Sequence, residues 1–324
     1  MRSVVRLALA LALWLAAGGA AAAPQREPEL ERQIAQVAAT AGGVVGVSIV
    51  HLPSGRAAGH NAGVRFPTAS TCKLPLAVAL LRRVDAGTLR LDAPVEVRRA
   101  DLRFFGADTV RRRFSRKTGL RLRVSELLDA MILDSDNTAT DLLFRLVGGP
   151  AAVERTLREL QAPGIDVSRS EGEIADWLES HPPQTAARAF EEDPRDTTTP
   201  EAMTVFLARL KRRELLSPAS TDLLLELMRR CRTGLDRLRA ELPPGTVVYD
   251  KTGTLQRTAS DVGLITLPDG TSLAISVYLK SSRRGIPARE KTIAAIARVA
   301  YDAFVPRPAL ASRLAFALPR RPGS

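Results

Sequence analysis

The chain has 324 residues, 45% of them apolar and 25% charged, with a formal net charge of +12. This is an ordinary globular balance, long enough for one large domain or two smaller ones around a sizeable core. The positive excess is mostly scattered arginine and only 4% of residues are aromatic, so no stacking platform or groove-reading motif for nucleic acid is present.

Residues 1–23 read as a secretory signal peptide: Arg2 and Arg6 give a basic start, Leu7 to Ala17 an apolar run, and Gly18 to Ala23 small residues for cleavage. Without Arg2 and Arg6 the remainder carries +10. Export to the periplasm or medium is expected, and no other stretch is long and apolar enough to cross a bilayer. Residues 28–40 have the spacing of an amphipathic helix, 43–51 of a buried strand, and Pro53-Ser54-Gly55 of a turn into a return strand over 56–60. Helical patterns then dominate, at 70–86, 124–133, 136–147, 150–160, 200–212 and 217–230. Strand signals return at 246–251, 260–267 and 272–280, and 286–303 predicts a last helix. Residues 161–199 read as a long irregular polar loop, a kind that is usually functional when it occurs in a compact enzyme. Residues 305–324 read as a basic surface tail.

Strands therefore come from both ends of the chain and helices fill the middle. That order predicts an α+β fold: an antiparallel sheet flanked by terminal helices, with an all-α unit inserted between its second and third strands. The expected boundaries are 24–304 for the main domain, with an α/β part at 28–66 and 235–304 and a helical part at 67–234.

Of the two cysteines, Cys72 and Cys231, export would permit a disulfide, but Cys72 lies on a helix expected to be buried and reads as a packed free thiol. His51, His60 and His181 lack metal-ligand spacing, so no metal is expected. No G-x-S-x-G elbow surrounds a serine, so the base of a serine enzyme here would be Lys or Glu.

Three short motifs carry chemistry: Ser70-Thr71-Cys72-Lys73, Ser135-Asp136-Asn137 and Lys251-Thr252-Gly253. Lys73 shares a helical face with Ser70, and its amine can reach a hydroxyl that needs a base. Taken alone, a serine near a helix start and a solvated lysine would explain the pair equally well. Ser135 offers a hydroxyl that relays a proton to a leaving nitrogen, and Asn137 a hydrogen bond to a substrate amide. The same three residues also suit a simple turn and helix cap. Lys251 and Thr252 would bind a carboxylate, and Gly253 would let substrate lie along the strand edge; an ordinary strand end is the plain alternative. The backbone N–H groups of Ser70 and Thr254 would form an oxyanion hole.

Taken together, these motifs resemble a class A serine β-lactamase of the penicillin-binding protein superfamily, over roughly residues 28–303. The resemblance implies hydrolysis of a small β-lactam by a Ser70 acyl-enzyme, with no cofactor, in a monomer. It implies that Glu171 activates the deacylating water and that Arg169 and Asp196 pair to hold the active-site loop, which Arg195-Asp196-Thr197 closes. Arg237 matches an arginine that some members use for the substrate carboxylate, since Ser260 stands where others place one. Phe105 aligns with an aromatic that lines the mouth, or is a core residue paired with Phe104. Two departures matter. Ala175 stands where the family has an Asn that helps hold the water, and the loop carries an insertion of about a dozen residues before Arg195. Glu173 is the alternative base if the register is shifted by two. A D-Ala-D-Ala peptidase with slow deacylation and a non-catalytic envelope-binding module are the rival readings.

Overall fold

The computed structural model describes residues 25–115 and 117–305. The signal peptide expected over 1–23 and all but the first residue of the tail expected over 305–324 lie outside them. Among the described residues no helix is long and apolar enough to cross a membrane.

The chain starts with helix α1 (Pro28–Ala39) and the hairpin β1 (Val44–His51) and β2 (Ala57–His60). It returns to the same sheet only at β7 (Val248–Thr254), β8 (Ala259–Thr266) and β9 (Ser272–Lys280), and closes on helix α11 (Ile286–Phe304). The order across the sheet is β2-β1-β9-β8-β7, antiparallel throughout, with Val47 opposite Val277 at the seam where the two ends of the chain meet. The central strand β9 is buried on both faces, which explains why Ser272–Lys280 shows a run of apolar residues and little alternation. One face of the sheet packs on α1 and α11 through Leu30, Ile34, Ile293, Ile296 and Tyr301. The other joins the helical unit through Val262, Leu264, Ala274 and Tyr278.

Between β2 and β7 run α2 (Lys73–Asp85), α3 (Thr109–Arg113), α4 (Val124–Leu133), α5 (Asn137–Val147), α6 (Pro150–Glu159), α7 (Glu171–Glu179), α8 (Pro183–Glu192), α9 (Pro200–Lys211) and α10 (Pro218–Arg229). Helix α2 is buried without a break from Lys73 to Leu81, as a helix apolar on all sides must be. Two short pairs complete the fold, β3 (Phe66–Pro67) with β6 (Thr197–Thr198) and β4 (Pro94–Val97) with β5 (Leu120–Arg123).

The structure corrects the sequence reading in three places. Ser70 lies in a 3₁₀ turn, Ala69–Cys72, and the α-helix starts only at Lys73. Strand β7 does not stop at Lys251 but carries the whole Lys251-Thr252-Gly253 motif. Residues 161–199 are not irregular, because α7 and α8 lie inside them. Both helices carried start signals: Ser170 and Glu173 form a reciprocal capping box, and Pro183 occupies the first helical position, where proline favours a helix.

Candidate active site

The predicted residues converge on a cavity of about 570 Å³ between the helical unit and the edge strand β7. Ser70, Phe105, Ser135, Asn137, Glu171, Arg237, Thr252 and Thr254 all line it. Lys73 and Lys251 lie beneath, fully buried. Gly253 is not part of the lining. A Cβ there would meet Ser260 Oγ at 2.5 Å and Thr68 O at 2.9 Å, so the glycine is required by close packing of β7 on β8 and on the Ser70 turn.

The Ser70 turn is held from below and from the side. Thr71 Oγ1 donates to Thr68 O (2.7 Å) and accepts from Tyr278 (3.0 Å). Thr68 donates twice to Asp196 O, through its N–H (2.8 Å) and its hydroxyl (2.9 Å), tying the turn to the end of the active-site loop. Ala69, Ser135 and Asp196 take left-handed φ values of +43°, +62° and +51°. Such conformations persist in non-glycine residues only where the surroundings enforce them, and they gather at functional sites.

At Ser135 that conformation turns both oxygens of the residue toward Lys73. Lys73 Nζ donates to Ser135 O (2.8 Å), Ser135 Oγ (3.2 Å) and Asn137 Oδ1 (2.7 Å), and stands 3.2 Å from Glu171 Oε1. Among the described residues no hydrogen bond joins Lys73 Nζ to Ser70 Oγ. Lys251 Nζ approaches Ser135 Oγ from the other side at 2.9 Å and donates to Thr252 O at 3.0 Å. Burial, reinforced by the Lys73 charge, pushes the Lys251 amine down to about 8. Asp136 is the buried cap of α5: its carboxylate accepts from Ala139 N (2.8 Å) and Val110 N (3.0 Å). Asp136 therefore serves as the helix cap, while Ser135 and Asn137 of the same triplet turn their side chains to the buried lysines.

Glu173 is exposed, and its carboxylate is bonded to Ser170 N (2.7 Å) and Ser170 Oγ (2.8 Å). The register that puts Glu171 at the site is the one the structure has. Arg169 donates to Asp196 Oδ2 at 2.6 Å, as expected, and also to Asp193 Oδ2 at 3.2 Å. Asp193, bonded also to Arg195, is held down at about 2. The Arg169 guanidinium lies 5.2 Å from the ring centroids of both Trp177 and Phe190, which pack on each other edge-to-face and give α7 and α8 a small core of their own.

Arg237 is buried rather than free at the mouth. It donates to Gly253 O (3.0 Å), Ser260 O (2.9 Å) and Thr254 Oγ1 (2.7 Å), and Glu290 stands 3.3 Å away. Phe105 is 38% exposed, which places it in the wall of the cavity rather than in the core. Cys72 and Cys231 are buried free thiols, with burial pushing both thiols up. Sequence reasoning missed Thr233, whose hydroxyl is 2.5 Å from that of Thr252, and the pair Arg103 and Asp141. None of these belongs to a spacing pattern. Among the described residues no group of three or more His, Cys, Asp and Glu is placed to hold a metal ion.

A family model described as the β-lactamase enzyme family matches residues 29–304. The chain is 32% identical to the extended-spectrum β-lactamase PER-1 of Pseudomonas aeruginosa, over 86% of this chain and 88% of that one. It superimposes on a β-lactamase of Chitinophaga pinensis with a TM-score of 0.77 at 32% identity, covering 85% of this chain and 99% of the other. An ancestral class A β-lactamase gives 0.77 at 36% identity, covering 85% and 100%. The chain belongs to the β-lactamase enzyme family. Within it the chain falls in class A, and it hydrolyses β-lactams.

Proposed function

We propose that Ser70 opens the lactam as an acyl-enzyme and that Glu171 serves as the base in both halves of the reaction. The observation that carries this reading is the position of Ser135 Oγ between two lysine amines, 3.2 Å from Lys73 and 2.9 Å from Lys251. A hydroxyl that accepts from both sides keeps its own proton to give away, and the leaving lactam nitrogen needs one. Lys73 Nζ is surrounded by four acceptor atoms and makes no hydrogen bond to Ser70 Oγ, so it is not placed to take the Ser70 proton. Glu171, through a water, takes the Ser70 proton as Oγ attacks the carbonyl carbon. The proton returns through Glu171, Lys73 and Ser135 to the nitrogen as the C–N bond breaks. A water that gives its proton to Glu171 then attacks the ester carbonyl, and as the ester C–O bond breaks Glu171 returns that proton to Ser70 Oγ, which restores both groups.

The backbone N–H groups of Ser70 and Thr254 take the developing oxyanion. Lys251, Thr252 and Arg237 attract the substrate carboxylate, and Asn137 its amide; Phe105 walls the side chain. The protein acts as an exported monomer, consistent with the leader-like residues 1–23. Intact-protein mass spectrometry with a penicillin tests the scheme: a label should appear on Ser70 and leave. A label on another residue overturns the assignment, and a label that persists stoichiometrically with release of D-Ala from a pentapeptide supports the peptidase reading instead.

A further inference from the structure

Helix α7 begins at Glu171, so the N–H groups of its first residues have no partner within the helix. The usual cap does not serve them all. Ser170 Oγ accepts only from Glu173 N, at 3.3 Å, and Ile174 N reaches Ser170 O at 3.0 Å. The remaining two are served from another element. Asp141 on α5 takes Glu171 N on Oδ1 at 2.8 Å and Gly172 N on Oδ2 at 2.9 Å. Its Oδ2 also accepts from Arg103 Nε at 2.6 Å. Arg103 in turn sits in the segment that carries Phe105, and its own N–H is fixed on Thr138 Oγ1 at 2.8 Å. Its guanidinium lies against Gly172: a Cβ there would meet Arg103 Nη2 at 2.7 Å, so a side chain at 172 would displace it.

This arrangement gathers two nearly buried carboxylates, Asp141 from α5 and Glu171 itself, at the start of α7, their side chains 10% and 12% exposed. Lys73 faces one of them and Arg103 the other. A nearly buried carboxylate without its cationic partner is costly, so without Arg103 the Asp141 side chain would turn toward solvent. That change weakens its hold on Glu171 N. We propose that Arg103 is a positioning residue for the hydrolytic half of the reaction: by neutralising Asp141, it lets that carboxylate fix the backbone of Glu171 and so the place of the Glu171 carboxylate. The hold is on main-chain N–H groups and needs no side chain at Ala175.

The inference rests on Glu171 activating the deacylating water. The test separates deacylation from acylation by pre-steady-state kinetics and time-resolved mass spectrometry on a penicillin. Arg103→Met is expected to lower the deacylation rate at least tenfold, because there the nucleophile itself is a water that Glu171 must hold, and the acylation rate by clearly less, because the attacking Ser70 Oγ is fixed by its own turn, so that kcat falls more than kcat/KM. Arg103→Met/Asp141→Asn, which removes both charges, is expected to recover part of the loss, since no carboxylate is left unpaired. Gly172→Ala displaces the guanidinium without deleting it and should show the same split, so the question stays answerable if Arg103→Met does not fold. Unchanged deacylation in both Arg103→Met and Gly172→Ala overturns the proposal, as does a proportional fall of both rates. If the unmodified enzyme never carries an acyl group on Ser70, the acyl-enzyme reading has failed and Arg103 is not at issue.

Discussion

The left-handed backbone of Ser135 is what lets one residue present both its carbonyl and its hydroxyl to Lys73. Alanine at this position would keep the strain and lose the hydroxyl, whereas glycine takes positive φ without cost. Ser135→Gly should therefore lower kcat/KM by about 10²- to 10⁴-fold, the range of general acid catalysis, while the thermal midpoint is kept or raised. A loss below tenfold would remove Ser135 from the proton path. Lys251 sets a pH limb. Its amine, held at about 8, is charged below that pH and neutral above it, and a neutral amine does not attract a carboxylate. kcat/KM for the free enzyme should fall as pH rises through about 8, and the limb of kcat should lie higher, because bound carboxylate favours the charged form. In Lys251→Arg the limb should vanish, since a guanidinium stays charged. The two thiols should be silent in the folded protein and both react with a thiol reagent once it is unfolded, because burial pushes both Cys72 and Cys231 up.

Among the elements, α7 and α8 are the pair that sequence reading turned into a loop. The reason is local. Gly172, Pro182 and Pro183 look like breakers, and neither helix exceeds 10 residues, so no long apolar period was available. What makes them helices is tertiary: the Asp141 carboxylate, the Arg169 guanidinium between Trp177 and Phe190, and Glu191, which accepts from Ser281 N (3.0 Å) and Ser281 Oγ (2.7 Å). The motif residues were legible for the opposite reason, since each is fixed by chemistry at close spacing. Arg103 and Asp141 were not, because 38 positions separate them and only the fold brings them together. Beneath α7 and α8 lies an apolar recess of about 390 Å³ walled by Leu178, Ala186, Phe190 and Leu255, next to the catalytic cavity. Phe190→Ala should open this pair locally. The readout is Trp177, one of two tryptophans, the other being Trp14. Its emission should shift to the red and amide exchange over residues 171–192 should rise, with little change in the global midpoint. A fall in the midpoint as large as that of a core deletion would show that the pair is not a separate unit.

For the whole molecule, the central core is continuous from helix α2 through α9 to the inner face of the sheet. Leu207 on α9 is fully buried in it, and Leu207→Ala should cost about 2–5 kcal/mol, measured by denaturant unfolding. The fold class was legible because strands at the two ends and helices between them admit few arrangements. The two-residue pair β3 and β6 was not, since Phe66–Pro67 and Thr197–Thr198 have no period to read; yet this pair fastens the Ser70 turn to the loop.

The seam between β1 and β9 has a consequence for the time course of folding. Strand partners such as His51 and Leu273 are 222 residues apart, and closing so long a loop is an entropic cost that must be met before the sheet rewards it. In the helical unit, by contrast, α4 and α5 follow each other directly in the chain and pack together. A chain emerging from its N-terminus can build helices early but cannot complete its sheet until the last strand has arrived. The active site, bounded by β7 on one side, is thus among the last features to form, and activity regained on refolding should trail helix content by a measurable lag.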